Sequence, residues 1–281
     1  MKQHNHSGGG RHPAGLTASF RRILNAYRVE LLKAFHRKFS YAGPLLILIV
    51  VAATLRVHPM IRDGAGDYSF IAYATPMALN LLGFLILLVY CAALVSSELG
   101  SGTICLILVR PLRRFEFVLA KLLLAMTYAV LLAATAALSS WLAVLALGDL
   151  GGVTYGGEVM YTGMEMIEIY LIGAALALLP LFAAAAYAVM ISCLTRSTGA
   201  AIGSAVGIWI VADIVKHPLG VAPFLFSTYL ETPWQVFVGR CDGLDPQWFP
   251  GAVYVIASSL VSLIVFTAVA ILALSRRNLH T

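Results

Sequence analysis

Charge is what this chain has least of. Asp, Glu, Lys and Arg together make up 11% of its 281 residues, against about a quarter in an ordinary soluble domain. So few charges cannot cover a water-facing surface, which excludes a soluble globular enzyme. Phosphate-cradling chemistry is also missing: no GxxxxGK[ST] loop occurs, so the chain cannot hold ATP in the Walker manner. There is no HExxH pair and no GxSxG elbow. The four cysteines, Cys91, Cys105, Cys193 and Cys241, follow no metal-ligand spacing and do not read as a disulfide framework. Ionisable groups within the apolar runs are too few for the proton relays that many secondary transporters use. No internal repeat supports an inverted-repeat transporter fold.

What is present is apolar. Hydrophobic residues reach 60%, the mean hydropathy is +0.88, and the runs are long enough to cross a bilayer at about 20 residues each. They predict an all-α membrane protein with six transmembrane helices, at about 41–57, 71–95, 117–147, 166–194, 199–215 and 251–274. Residues 1–15 are Gly- and His-rich and read as a disordered tail, where His4, His6 and His12 lack the fixed geometry a metal needs. No compact apolar core follows in the manner of a cleaved signal peptide. Residues 16–38 read as a basic amphipathic helix, with Phe20, Ile23, Leu24, Tyr27, Leu31 and Phe35 on one face. Arg21, Arg22, Arg28 and Lys33 lie elsewhere around it, as suits a helix resting among cytoplasmic headgroups; packing on a soluble partner is the alternative. Residues 39–281 are then the transmembrane domain.

The distribution of Lys and Arg sets the orientation. With the N-terminus inside, fifteen of the nineteen fall on the inner side, leaving Arg56, Arg62, Lys216 and Arg240 outside. The positive-inside rule then places both termini in the cytoplasm, consistent with an even number of crossings. Net positive charge here reflects topology, and no nucleic acid is expected as a partner.

The inner connection between the second and third spans, Ser96 to Lys121 (SSELGSGTICLILVRPLRRFEFVLAK), is the chain's one dense internal cluster of Lys and Arg. Ser97 and Ser101 are candidate N-caps for a short helix over the apolar residues 104–109, which Arg110-Pro111 would stop. The succession Glu98, Gly102, Thr103, Arg110, Pro111, Arg113 or Arg114, and Lys121 resembles the loop between the second and third helices of ABC-2 type permeases. The resemblance implies the membrane subunit of an ATP-driven exporter, with this loop as the coupling helix that docks on a separate ATPase. It implies that the chain lies in a bacterial-type inner membrane, that two ATPase copies bind ATP and magnesium, and that this chain binds no cofactor or metal of its own. It also implies that a second permease chain, another copy in a homodimer or else a homologous chain, completes the path. One subgroup of such permeases passes force or a sulfur species to a periplasmic partner. An ordinary basic loop is the alternative at this stretch.

Three further features carry expectations. Gly199, Gly203 and Gly207 make a small-residue stripe along the fifth span, suited either to a dimer seam or to packing within one chain. Glu165 and Glu168 open the fourth span on one face, either as an acidic outer vestibule or as partners of the helix dipole. Asp213 lies in the fifth span with Lys216 three residues on, so it is either part of that vestibule or one half of a local ion pair. Residues 217–250 are too long for a turn and too interrupted for a crossing, and predict two short re-entrant helices beneath the outer surface. The reading that results is an ABC-2 type export permease with open cargo identity. A membrane enzyme or scaffold, or a gradient-driven transporter, is the alternative.

Overall fold

The computed structural model describes residues 16–57, 67–101, 113–155 and 158–276. Eight helices form among them: α1 (Leu16–His36), α2 (Phe39–Val57), α3 (Tyr68–Gly100), α4 (Arg114–Leu147), α5 (Gly163–Leu194), α6 (Thr198–Val215), α7 (Thr232–Cys241) and α8 (Gly251–Arg276). All except α1 and α7 are long and apolar enough to cross a membrane. Each lies over one of the expected spans. The second is longer than expected, beginning at Tyr68 and running on to Gly100.

Local sequence explains where the helices begin. Thr162 and Glu165 form a capping box at α5, Glu165 accepting the Thr162 N–H at 2.7 Å. Ser197 caps α6 by accepting the Ala200 N–H at 3.1 Å. At the other end of α3, Ser97 lies inside the helix and is no N-cap, and Ser101 is the helix's C-cap, its hydroxyl donating to the Ser97 carbonyl at 2.8 Å; the segment Ser101 was expected to cap lies outside the described residues. The α-helix simply continues through the Ser-Ser-Glu-Leu-Gly segment. Within α3, residues Ala78–Gly83 adopt a π-helical turn. It follows Pro76, whose missing N–H already interrupts the hydrogen-bond ladder.

Helix α5 is the hub, with α3, α4, α6, α7 and α8 all packed on it. Its buried alanines, Ala183 to Ala186 and Ala188, let neighbouring backbones approach closely where lipid offers no hydrophobic push between helices. Ser192 adds a polar tie: its hydroxyl donates to the Ala92 carbonyl at 2.6 Å and accepts the Ser96 N–H at 2.8 Å. Gly43 of α2 meets the Tyr128 hydroxyl so closely that a Cβ there would sit 2.2 Å from it. By contrast α6 buries only Ala201 and Ala205.

The connection between α4 and α5 holds a small antiparallel hairpin. Strand β1 (Val153–Tyr155) pairs with β2 (Glu158–Tyr161), entered through Gly152 at φ 102°. Asp67 clasps its base, accepting the Asp149 N–H at 2.6 Å and donating its own N–H to the Asp149 carbonyl at 3.0 Å. Tyr68, Trp141, Tyr170, Trp234 and Phe237 stack edge-to-face or tilted beneath it, fixing α7 to the spans. Between α6 and α7 the chain makes two single 3₁₀ turns, Ala222–Phe224 and Phe226–Tyr229, so one of the two expected short helices is α7 and the other is these turns.

Candidate functional site

The end of α3 and the start of α4 meet α1 at a cluster of charges. Glu98 stands in the last turn of α3, Lys121 in the second turn of α4, and Glu30 on α1. Lys121 is 1% exposed, and its Nζ donates to Glu30 Oε2 at 2.5 Å and to Glu98 Oε1 at 2.7 Å. Lys33 reaches Glu30 Oε1 at 2.7 Å and stands 3.9 Å from Glu98. Two carboxylates and two ammonium groups thus balance at one junction of three helices. Burial pushes the Glu30 carboxyl up, but Lys121 and Lys33 together outweigh it and hold it below the usual carboxylate range.

A second ion pair runs the other way. Arg22 of α1 grips Glu116 of α4 with Nε at 3.0 Å and Nη2 at 2.9 Å from Oε1. Glu116 is wholly buried and also accepts the Arg113 N–H at 3.0 Å, closing the first turn of α4. A hydrogen bond between Tyr27 and Thr127, 2.8 Å long, completes the seam. So α1 gives an acid to a base of α4 and a base to an acid of α4. These pairs use Glu30, Glu98 and Glu116, all three acids that the charge pattern assigns to the inner side.

The structure therefore redistributes the sequence-predicted residues. Glu98 and Lys121 are turned inward and paired with each other, Arg22 and Lys33 are engaged with carboxylates, and Arg114 donates to the Leu274 and Ser275 carbonyls at the end of α8, at 3.2 and 2.7 Å. Arg21, Arg28 and Arg113 are exposed. Gly102, Thr103, Arg110 and Pro111, with the expected coupling helix, lie outside the described residues. Glu30 and Glu116 escaped the sequence reading. The signal for Glu30 was available: it shares a helical stripe with Ile23, Tyr27 and Ala34, and a carboxylate on an apolar face needs a partner.

At the other end of the spans, α3, α6, α7 and the 3₁₀ turns surround a chamber of about 810 Å³. The π turn of α3 contributes Asn80 and Leu81 to its wall. Of the three acids expected in an outer vestibule, only Asp213 lines it, ion-paired to Lys216 at 2.6 Å. Glu165 is committed to its capping box and Glu168 is exposed outside the chamber. Glu231 and Asp242, unremarked in the sequence, take their place in the lining. A Cβ added at Gly199, Gly203 or Gly207 would meet nothing within 4 Å, so packing among the described residues does not explain the stripe.

No curated protein matches the chain. A family model does, that of the ABC-2 family transporter protein, over residues 26–206, a range from α1 into α6 that takes in the charge cluster and the loop beside it. The six apolar helices make this a multi-pass membrane protein, and the chain belongs to the ABC-2 family as the membrane component of an ABC transporter.

Proposed function

We propose that this chain is the permease of an ATP-driven exporter, moving cargo outward when a separate ATPase pair presses on its inner face. The observation that carries the reading is the reciprocal ion-pair seam. Because α1 is held to α4 and, through Lys121, to the end of α3, a force on α1 or on the loop after Gly100 is delivered to both spans together. The exposed Arg21, Arg28 and Arg113 offer the contact surface, and an acidic ATPase face is the complement. Glu98 and Lys121 act as positioning residues behind that surface. Gly102, Thr103, Arg110 and Pro111 are the remainder of the docking loop. ATP and magnesium sit on the partner, whereas this chain supplies two states whose different contacts with the ATPase transmit its cycle.

The remaining architecture follows that reading. The exposed apolar residues of α1, including Phe20 and Phe35, rest at the inner leaflet, and both termini are cytoplasmic in an inner membrane. Two copies pair along the open Gly199, Gly203 and Gly207 stripe, and α3 and α6 of each copy flank the path. Helix α7 and the 3₁₀ turns sit within the outer leaflet as the gate. The test is co-purification of the tagged chain in mild detergent with nucleotide present. A Walker-type ATPase should come down with the wild-type chain and be lost with an Arg28→Glu, Arg113→Glu variant, which changes only exposed side chains. Absence of any ATPase under every nucleotide condition would sink the proposal.

A further inference from the structure

The outer chamber has a chemistry of its own, and its reading as a cargo site rests on the export function proposed above. We infer that it receives a bulky organic cation. Its volume of about 810 Å³ suits a drug-sized molecule, since such pockets span about 300–1,000 Å³. Tyr73, Trp209 and Trp234 provide aromatic walls, and aromatic faces attract cations while shedding little energy to bury.

The charge of the lining points the same way. It holds Asp213, Glu231 and Asp242 against Lys216 and His217. Lys216 is neutralised by Asp213 at 2.6 Å. Two negative charges, Glu231 and Asp242, are left over, and neither joins an ion pair among the described residues. The nearest outer base in sequence, Arg240, is taken by Asp245 and by the face of Tyr161, 4.7 Å from its guanidinium carbon. Asp242 also stands at the C-cap of α7, where the helix dipole disfavours a carboxylate. Helix stability therefore does not explain it. Low-dielectric walls concentrate the field of such charges into the cavity.

The π turn supplies a further, independent indication. Widened turns of this kind recur at functional sites, and this one presents Asn80 and Leu81 to the same chamber. An apolar cation thus meets aromatic faces and two uncompensated carboxylates, whereas an anion of the same shape meets repulsion.

The experiment uses the full-length chain in nanodiscs of neutral phosphatidylcholine, with empty nanodiscs subtracted for partitioning. Tetraphenylphosphonium and tetraphenylborate, of like shape and opposite charge, are titrated by equilibrium dialysis and tryptophan quenching. Saturable binding of the phosphonium alone is expected. A Glu231→Gln, Asp242→Asn variant should weaken it by about tenfold, the scale of removing two solvent-exposed charges close to a bound cation. A Glu158→Gln, Glu168→Gln variant, outside the chamber, should leave it unchanged. Equal binding of both ions, no saturable binding, or equal weakening by the two variants overturns the inference. The measurement needs no ATPase. If an ATPase co-purifies and no phosphonium binds, the cation assignment falls and the export reading stands. If phosphonium binds but no ATPase is ever captured, the chamber is a cation site of a protein that is not an exporter.

Discussion

The two ends of this molecule handle charge in opposite ways. On the orientation assigned, the inner side carries fifteen bases and three acids, the outer side four bases and ten acids. Inside, each of the scarce acids is buried and gripped by a base from another helix, so charge is spent on holding α1, α3 and α4 together. Outside, stacked aromatics and a backbone clasp do the holding, and several acids are left facing water or the chamber. The minority charge at the inner end is structural. The part of the majority charge that is left exposed at either end, such as Arg21, Arg28 and Arg113 or Glu231 and Asp242, is what a partner or a ligand can meet.

The sharpest way to break the inner end is Lys121→Met. It strips the buried cation from between Glu30 and Glu98 and leaves the two carboxylates sharing only the more exposed Lys33, a change that costs about 3–5 kcal/mol when one member of a buried pair is removed. A thermal melt in detergent should show the loss, with α1 amides exchanging fastest. Adding Glu30→Gln and Glu98→Gln should restore much of it, since the penalty lies in the unpaired charge. If the single variant melts like the wild type, the cluster does not hold the helices.

At the outer end the corresponding weak point is a contact. A Cβ on Gly148 would lie 2.2 Å from Asp67 Oδ2, inside the clasp that joins α3 to α4. Gly148→Ala should therefore destabilise by about 1–3 kcal/mol, the usual cost of overpacking a tight site. It should do so without altering salt dependence, whereas the inner-end variants should respond to salt. Combining it with Asp67→Gly should give less than the sum of the two effects.

Acid should separate the ends as well. Burial raises the Glu30 carboxyl, but Lys121 and Lys33 outweigh it and leave it below its ordinary value. A group lowered in the folded state contributes its stability above the unfolded value of about 4.3 and loses it as pH falls through the lower folded value. Protection of α1 against exchange should stay level from neutral pH down to about 5 and then fall at more acidic pH. Glu30→Gln should flatten that profile.

How much of this was readable beforehand follows from physics that differs along the chain. The six spans were legible because hydrocarbon demands long uninterrupted apolar helices, and few other patterns satisfy it. The hairpin over Val153–Tyr161 was not, because a short connection with five glycines between 148 and 157 fits many turns equally well. Glu98 and Lys121 stood out by their place in a motif, yet their inward pairing depends on α1 folding back along α4, with Glu30 91 residues from Lys121. Charged residues near an inner surface were read as contacts for a partner. Burial instead selected those that had an opposite charge within reach.

The gentlest test concerns α6, which shares neither end's means of attachment. Its glycine stripe meets nothing within 4 Å, and only two of its residues are buried. In the single chain, Gly203→Leu has room for its side chain and replaces a poor helix former, so the melting temperature should shift little, within about 0.5 kcal/mol. If two copies close along the stripe, the same leucine pushes their backbones apart, because close approach is what small residues supply. Native mass spectrometry should then find wild-type dimers and variant monomers of unchanged stability. Dimers that persist in the variant would move the seam elsewhere, to another apolar face such as that of α8.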